Sequence, residues 1–280
     1  MKCIVFSLMI IPTISFSQIN IHGIVCNLNH TPLAYTNIVS VKKQNGATTN
    51  EKGEFLLKHF DYDDTIRVTN ISYYPQLISV KTLLNSDTIF LSEYTKTLDE
   101  VIATNFNNLT DEEDLGFLHL KTNAFFDLKP GGQIAVFIEH KRKSTGWIKT
   151  VSFKAKTHGR YKCDIRVRLM EPNATDMSPG FDLLSENIIV AANHLKRTNN
   201  INLSKYKILM PKNGVFVALE WLCSTHACDE NSCTNILGNM SVSTDLVWFN
   251  YRDRKWQHNF RPSMRNGNFT TPNIGIKVAY

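Results

Sequence analysis

The densest group of potentially reactive side chains lies between positions 223 and 233. Cys223, His226, Cys228 and Cys233 place three thiols and one imidazole close together in the sequence. Zinc takes four such ligands in a tetrahedral site, but these cysteines are spaced more widely than in a compact zinc knuckle, where two residues separate the cysteines. For an exported chain, we predict instead a disulfide among Cys223, Cys228 and Cys233, with free thiols or a zinc site as alternatives.

A second candidate site combines aromatic and charged residues near the end of the chain. Trp248, Tyr251 and Trp256 offer ring faces on which a sugar can stack, and Asp245 and Arg252 offer hydrogen-bonding groups. Tryptophan and tyrosine in β-sandwiches also serve as half-buried core or edge residues. These five residues are therefore candidates for ligand binding, with structural packing as the alternative.

Familiar catalytic motifs are absent from the sequence. It contains no His-x-x-Glu pair of a zinc carboxypeptidase, no Gly-x-Ser-x-Gly, no His-Glu-x-x-His and no Walker loop. We therefore expect a non-catalytic protein without a cofactor. The alternative is a glycan-active enzyme whose paired carboxylates come from distant strands, with Glu139, Glu220 and Asp245 as candidates.

The composition and the first residues indicate an exported globular protein. The 280 residues are 42% hydrophobic and 20% charged, which excludes intrinsic disorder as a description of the whole chain. No apolar run is long enough for a membrane-spanning helix. A net charge of +6 is too small to indicate a nucleic-acid-binding surface. Residues 1–17 have a basic start, an apolar stretch and small residues before Gln18, which predicts a signal peptide and a location in the periplasm or at the cell surface.

The mature chain shows many short apolar runs with a period of two residues. Ile165, Val167 and Leu169 alternate with Arg166 and Arg168, which places the two arginines together on the solvent or site face of one strand. Turn residues separate these runs at close intervals, and no long amphipathic helix lies between them. The pattern predicts an all-β protein built of antiparallel sandwiches.

Residues 104–119 interrupt this period-two pattern. Thr110 and Glu113 have the spacing of a capping box, and Asp111 and Glu112 add acidic charge at the same end. We predict a linker with one short helix here, between a first domain at residues 18–103 and a second at residues 120–280.

Five separated motifs carry a resemblance of the first domain to a known family. They are residues 21–25, 32–38, 48–55, 66–73 and 98–101. In their order and spacing they resemble the carboxypeptidase-regulatory-like domain, a small transthyretin-like β-sandwich common in exported Bacteroidetes proteins. Gly53 supplies the positive φ of a tight turn, whereas Ser72 stands where the family usually has glycine.

The second domain resembles the second half of a recurring Bacteroidetes family of unknown function. Residues 147–149, 165–169, 179–184 and 213–221 carry this likeness, which implies a larger, jelly-roll-like β-sandwich. We therefore expect a non-catalytic cell-envelope protein that acts in binding or assembly, with a glycan or an envelope protein as its partner. A periplasmic partner module of an outer-membrane TonB-dependent system is a further alternative.

Overall fold

The fold is all-β, as the period-two pattern predicts. A computed structural model describes residues 19–43, 45–94, 109–127, 130–156, 163–191, 194–222, 234–242, 246–251, 255–258 and 269–280. The predicted signal peptide lies outside these residues. Within them, no helix is long and apolar enough to cross a membrane.

The first domain is a sandwich of a three-stranded and a four-stranded sheet. Its strands are β1 (Ile19–Asn27), β2 (Asn37–Ser40), β3 (Gly46–Thr48), β4 (Glu54–Phe60), β5 (Thr65–Thr69), β6 (Gln76–Ser79) and β7 (Thr88–Leu91), with one short helix, α1 (Val80–Leu83). The sheet orders are β4-β1-β7, where β1 and β7 run parallel, and β3-β2-β5-β6, which is antiparallel. Alternate side chains from both sheets, including Val25, Ile38, Leu57 and Val68, form one apolar core.

Gly53 occupies the left-handed region that the first-domain turn requires. Its φ is +75°, and a Cβ at this position would lie 2.7 Å from the carbonyl oxygen of Val25. Both the torsion and the close approach of the backbone therefore call for glycine.

The second domain is a larger sandwich of two sheets. Its strands are β8 (Glu112–Gly116), β9 (Ala124–Phe126), β10 (Gly132–Ile138), β11 (Trp147–Lys156), β12 (Asp164–Pro172), β13 (Pro179–Asp182), β14 (Ile188–Val190), β15 (Thr198–Asn202), β16 (Ile208–Leu209), β17 (Val215–Leu222), β18 (Asn235–Val242), β19 (Val247–Tyr251), β20 (Gln257–His258), β21 (Phe269–Pro272) and β22 (Ile274–Ala279). A 3-10 helix, Ser204–Tyr206, lies between β15 and β16.

The chain passes back and forth between these two sheets, in the manner of a jelly roll. One sheet has the order β13-β12-β17-β10-β19-β20, with β14 also paired to β12. The other has the order β21-β18-β11-β22-β8, with β15 and β16 paired to β11 and β9 paired to β18. Inward-facing residues such as Ile134, Phe153, Val217, Trp221 and Ile276 fill the space between the sheets.

The helix predicted to begin at Thr110 is wrong. Residues Glu112–Gly116 form strand β8, which pairs antiparallel with β22, so that Glu113 lies opposite Val278. Lys277 Nζ lies 3.1 Å from a carboxylate oxygen of Glu112 across the same pair of strands. A capping box is a local signal, and pairing with a distant strand overrides it here. The second sandwich therefore includes residues from 112 onward, eight before the predicted boundary.

Candidate functional site

The two domains meet through the outer faces of two sheets. On β2, Ile38 points into the first core, whereas the neighbouring Asn37 points outward. On β17, Leu219 and Trp221 point into the second core, whereas Glu220 between them points outward. The Asn37 Nδ2 donates a 2.8 Å hydrogen bond to Glu220 Oε1 and so links the domains. The pleat of each strand thus separates core residues from interface residues.

Glu220 forms the centre of a buried polar cluster at this interface. It lies opposite Arg166 on the adjacent strand β12. Arg166 places Nε 2.7 Å and Nη2 2.6 Å from Glu220 Oε2. The side chains of Arg166 and Glu220 are 2% and 0% exposed. Two charges removed this completely from water are tolerated only because they pair and are hydrogen-bonded on their remaining sides.

The same cluster holds the first domain in place through Arg166. Its Nη1 donates to the carbonyl oxygen of Tyr35 at 2.8 Å and to Asn187 Oδ1 at 2.9 Å. Tyr35 belongs to the first domain and Asn187 to the second. One guanidinium therefore bridges the interface with the fixed fork of donors that arginine provides.

Arg168 extends the cluster along β12 towards β13. Its Nε and Nη2 donate to the two carboxylate oxygens of Asp182 at 3.0 and 2.7 Å, and its Nη1 donates to Gln133 Oε1 at 2.8 Å. The sequence prediction that Arg166 and Arg168 share one face of a strand is confirmed. That face is buried beneath the first domain.

A cavity of about 470 Å³ opens at one end of this interface. The first domain lines it with residues 67, 69–75 and 94. The second domain lines it with residues 166, 168, 170, 173, 179–185, 250 and 256. The volume lies in the range of sites that hold small ligands, and neither domain encloses the space alone.

Aromatic rings from both domains stand at this cavity. Tyr94 and Phe181 stack with ring centroids 5.2 Å apart and planes 3° apart, and Tyr74 meets Tyr94 edge-on at 5.0 Å. Tyr74 is 52% exposed and Phe181 is 62% exposed. Exposed aromatic rings grouped at a concave surface are common in ligand-binding sites.

The turn that carries these residues has an unusual backbone at Ser72. Its φ is +67°, a left-handed conformation that is costly for residues other than glycine. The Ser72 Oγ donates a 3.1 Å hydrogen bond to the carbonyl oxygen of Ser185 across the interface. The position that departs from the family's usual glycine therefore makes a contact that glycine cannot make.

Burial changes the acidity of Tyr73, which also lines the cavity. Desolvation raises the pKa of its hydroxyl above the ordinary value, and the charge of Glu93 acts in the same direction. The hydroxyl donates to Glu93 Oε1 at 3.3 Å. Tyr73 is therefore a neutral hydrogen-bond donor at physiological pH.

Comparison with known proteins identifies the first domain. Residues 21–103 match the family model of the CarboxypepD_reg-like domain. The resemblance of the first domain, inferred above from its five motifs, is confirmed. No curated protein matches the chain.

The comparison with solved structures found a partial likeness to one surface protein. It contains the cysteine protease and lectin-like domains of Cwp84, a surface-layer-associated protein of Clostridium difficile. The TM-score is 0.44 at 10% sequence identity, and the match covers 84% of this chain but only 45% of that one. A likeness of this size says nothing about function.

The predicted aromatic site is only partly brought together. Trp256 lines the cavity beside the CarboxypepD_reg-like domain. Trp248 and Trp256 both pack against an adjacent apolar cluster that contains Phe216, but Trp248 is not among the cavity residues. Its ring centroid lies 6.4 Å from that of Phe216, edge-on, and 4.5 Å from that of His258. Tyr251 is half-buried at the end of β19 and is not among the cavity residues. Asp245 and Arg252 lie outside the described residues.

Sequence reasoning missed most of the aromatic residues at the cavity. Tyr74, Tyr94 and Phe181 were not among the predicted ligand-binding residues. A usable signal was present at Ser72, where a family motif lacks its usual glycine next to the aromatic pair Tyr73 and Tyr74.

The predicted cysteine site falls on residues that the structure does not describe. Cys223, His226, Cys228 and Cys233 lie outside the described residues, so the disulfide and zinc alternatives remain predictions. Cys163 is disulfide-bonded, and its partner also lies outside the described residues. Cys26 is a free, buried thiol. Among the described residues, no group of three or more possible ligands could hold a metal ion.

The candidate catalytic carboxylates do not form a reactive pair in the described structure. Glu220 is fully buried, and both its oxygens accept hydrogen bonds from Asn37 and Arg166. Glu139 is exposed at the end of β10 and does not line the cavity. Asp245 lies outside the described residues. Among the cavity residues that the structure describes, the acid is Asp182, whose two oxygens both accept hydrogen bonds from Arg168.

Proposed function

We propose that this protein is an exported, non-catalytic protein of the cell envelope that binds its ligand between the CarboxypepD_reg-like domain and the second sandwich. The cavity itself is the observation that carries this proposal. It measures about 470 Å³, both domains line it, and exposed rings of Tyr74 and Phe181 stand at its wall. Sites for small molecules combine a concave shape, aromatic walls and a few polar groups in this way.

The buried cluster supports a binding role because it holds the cavity in one shape. Arg166, Glu220 and Asn37 connect the two domains directly behind the cavity wall. A site whose walls are already in place loses less free energy on ordering when a ligand binds. The engagement of Asp182 with Arg168 also supports a non-catalytic role, since both carboxylate oxygens of Asp182 already accept hydrogen bonds from the guanidinium.

Binding can be tested with purified mature protein on glycan and peptide arrays, followed by isothermal titration calorimetry of each ligand that binds. The Phe181→Ala variant is expected to weaken binding about tenfold or more, because truncating an aromatic residue central to a contact has effects of this size. Phe125 is the matched control, since its ring is 64% exposed on β9 and does not line the cavity.

Two results would contradict this proposal. A ligand that binds the Phe181→Ala variant as tightly as the wild type does not occupy the cavity. Chemical conversion of a bound ligand, detected by mass spectrometry, would show that the protein is an enzyme.

Export has a separate test. The purified periplasmic or surface fraction should contain a chain that begins at Gln18, as determined by N-terminal sequencing. A chain that retains Met1 and stays in the cytoplasm would contradict the predicted signal peptide.

A further inference from the structure

The charged side chains among the described cavity residues are all engaged within the protein. Arg166 pairs with the buried Glu220, and Arg168 donates to both carboxylate oxygens of Asp182. Arg67, the lining arginine of the CarboxypepD_reg-like domain, is not free either. A charged ligand would need to take over such contacts, and breaking a buried ion pair is costly. The wall therefore favours a ligand without charge.

Two uncharged polar groups at the cavity are available to such a ligand. Asn173 lines the cavity, and its Oδ1 accepts a 3.0 Å hydrogen bond from the backbone of Thr175, which orients the amide. Its Nδ2 donates to none of the residues that the structure describes. Within the same residues, the hydroxyl of Tyr94 at the cavity also has no hydrogen-bond partner. An amide N–H and a phenol O–H can both bond to ligand hydroxyl groups.

Phe181 adds a flat apolar surface to the same wall. One face of its ring stacks on Tyr94 with the two planes 3° apart, yet 62% of the residue is exposed. The face of an aromatic ring is electron-rich, so it attracts the weakly positive C–H groups on one face of a pyranose ring. The exposed part of Phe181 therefore suits a sugar ring.

Backbone pairing holds Phe181 and Asn173 in a fixed arrangement. Phe181 lies in β13, which pairs antiparallel with β12 and places Pro179 opposite Pro172. Asn173 directly follows β12, and its backbone N–H donates a 2.7 Å hydrogen bond to the carbonyl oxygen of Ser178. The stacking surface and the amide donor thus belong to one hairpin, and a preformed arrangement of this kind lowers the ordering cost of binding.

We propose that the ligand of this cavity is a neutral saccharide, with one sugar ring stacked on Phe181 and a hydroxyl group accepting a hydrogen bond from Asn173 Nδ2. This inference rests on the proposed function, since it names the ligand class of the same site. A sugar ring needs both kinds of contact, because it has an apolar face and an edge of hydroxyl groups. The cavity volume of about 470 Å³ suits a small oligosaccharide or the end of a longer one.

The first test compares neutral saccharides with their acidic counterparts. Calorimetry is carried out on the mature protein with oligosaccharides of glucose, galactose and mannose and with those of the corresponding uronic acids. At least one neutral saccharide should bind, and its acidic counterpart should bind no more tightly. The affinity for the neutral saccharide should not change with salt concentration, because no charge pair forms. A preference for the acidic member, or no binding of any neutral saccharide, would overturn the assignment.

Substitutions of Phe181 distinguish stacking on a ring from simple apolar contact. Phe181→Trp keeps a flat aromatic face and should retain the affinity for the saccharide. Phe181→Leu keeps an apolar side chain without a ring face and should lower the affinity about fivefold to tenfold. Wild-type affinity in Phe181→Leu would contradict the stacked sugar ring.

Asn173→Asp tests the hydrogen bond from the amide. The substitution keeps an oxygen for the backbone of Thr175 but removes the Nδ2 donor, so the affinity should fall about fivefold. Asn202→Asp is the matched control, because Asn202 Oδ1 accepts a 2.9 Å hydrogen bond from the backbone of Ser204 in the same way and Asn202 does not line the cavity. If the two variants bind equally well, Asn173 does not contact the sugar as proposed.

The outcomes separate this inference from the proposed function. If only peptides bind and Phe181→Ala weakens them, the saccharide assignment fails while the cavity remains a binding site. The same holds if only charged saccharides bind and depend on Phe181. If no ligand of any class depends on Phe181, both the inference and the proposed function fail.

Discussion

The Glu220→Gln substitution should strongly destabilise the protein, although it preserves the size of the side chain. Arg166 would keep its charge at 2% side-chain exposure and lose the carboxylate that lies 2.6 to 2.7 Å away. Removing one partner of a buried ion pair costs about 3–5 kcal/mol. In a domain of this size, 1 kcal/mol corresponds to about 2–4 °C in Tm, so a decrease of about 6–20 °C is expected.

Thermal and urea unfolding, followed by circular dichroism and tryptophan fluorescence, measure this effect. Trp221 is adjacent to Glu220 in sequence and is fully buried, so its emission reports unfolding of the second domain. Glu112→Gln is the matched control. Glu112 pairs with Lys277 at 3.1 Å, but both side chains are more than 40% exposed. Its loss should leave the free energy of unfolding nearly unchanged, because exposed ion pairs contribute little to stability.

A double variant tests the reasoning more sharply. If the cost of Glu220→Gln arises from an unpaired buried cation, Arg166→Met combined with Glu220→Met should be less destabilised than Glu220→Gln alone. The explanation is refuted if Glu220→Gln unfolds like Glu112→Gln, or if the double variant is the least stable of the three.

Three further predictions concern other parts of the chain. Gly214→Ala should lower the free energy of unfolding by about 1–3 kcal/mol in urea titrations, because its φ is +103° and a Cβ would lie 2.6 Å from the Ile138 carbonyl oxygen; unchanged stability would contradict this. Under non-reducing conditions, iodoacetamide should modify Cys26 only after unfolding and should not modify Cys163, as read by mass spectrometry. The hydrogen bond from Arg142 holds the pKa of Asp111 below its ordinary value. The stabilisation from this contact is therefore present above the unfolded-state pKa and is lost as the pH falls through the lower folded-state pKa. NMR titration should show a higher pKa of Asp111 in the Arg142→Gln variant, and an unchanged midpoint would refute the pairing.

The β-strands were predictable because their signal is local. Ile165, Val167 and Leu169 alternate with Arg166 and Arg168 in the sequence, and the same alternation separates the core from the domain interface in the structure. The failure at Thr110 has the converse reason. The capping-box spacing is also local, but the state of residues 112–116 depends on β22, more than 150 residues later in the chain.

The candidate site was predictable only in part. Trp248 and Trp256 were predicted as ligand-binding residues for the same chemical reason, and both pack against one apolar cluster, but only Trp256 is among the cavity residues. The residue type alone does not tell a tryptophan that lines the cavity from one that does not, because both residues are half-buried aromatics near the same strand. Phe181 and Tyr94 were missed because their stacking joins two domains.

The amino-acid sequence alone determined the all-β class, the identity of the first domain and the shared face of the two arginines, since each depends on patterns within a few dozen residues. Only the tertiary structure decided that Asn37 contacts Glu220, which lies 183 positions later in the sequence, and that this contact lies behind a ligand-sized cavity. The physical reason is that a strand's own residues specify which side chains share a face. What that face packs against depends on the free energy of burying it against another surface, to which residues from the whole chain contribute.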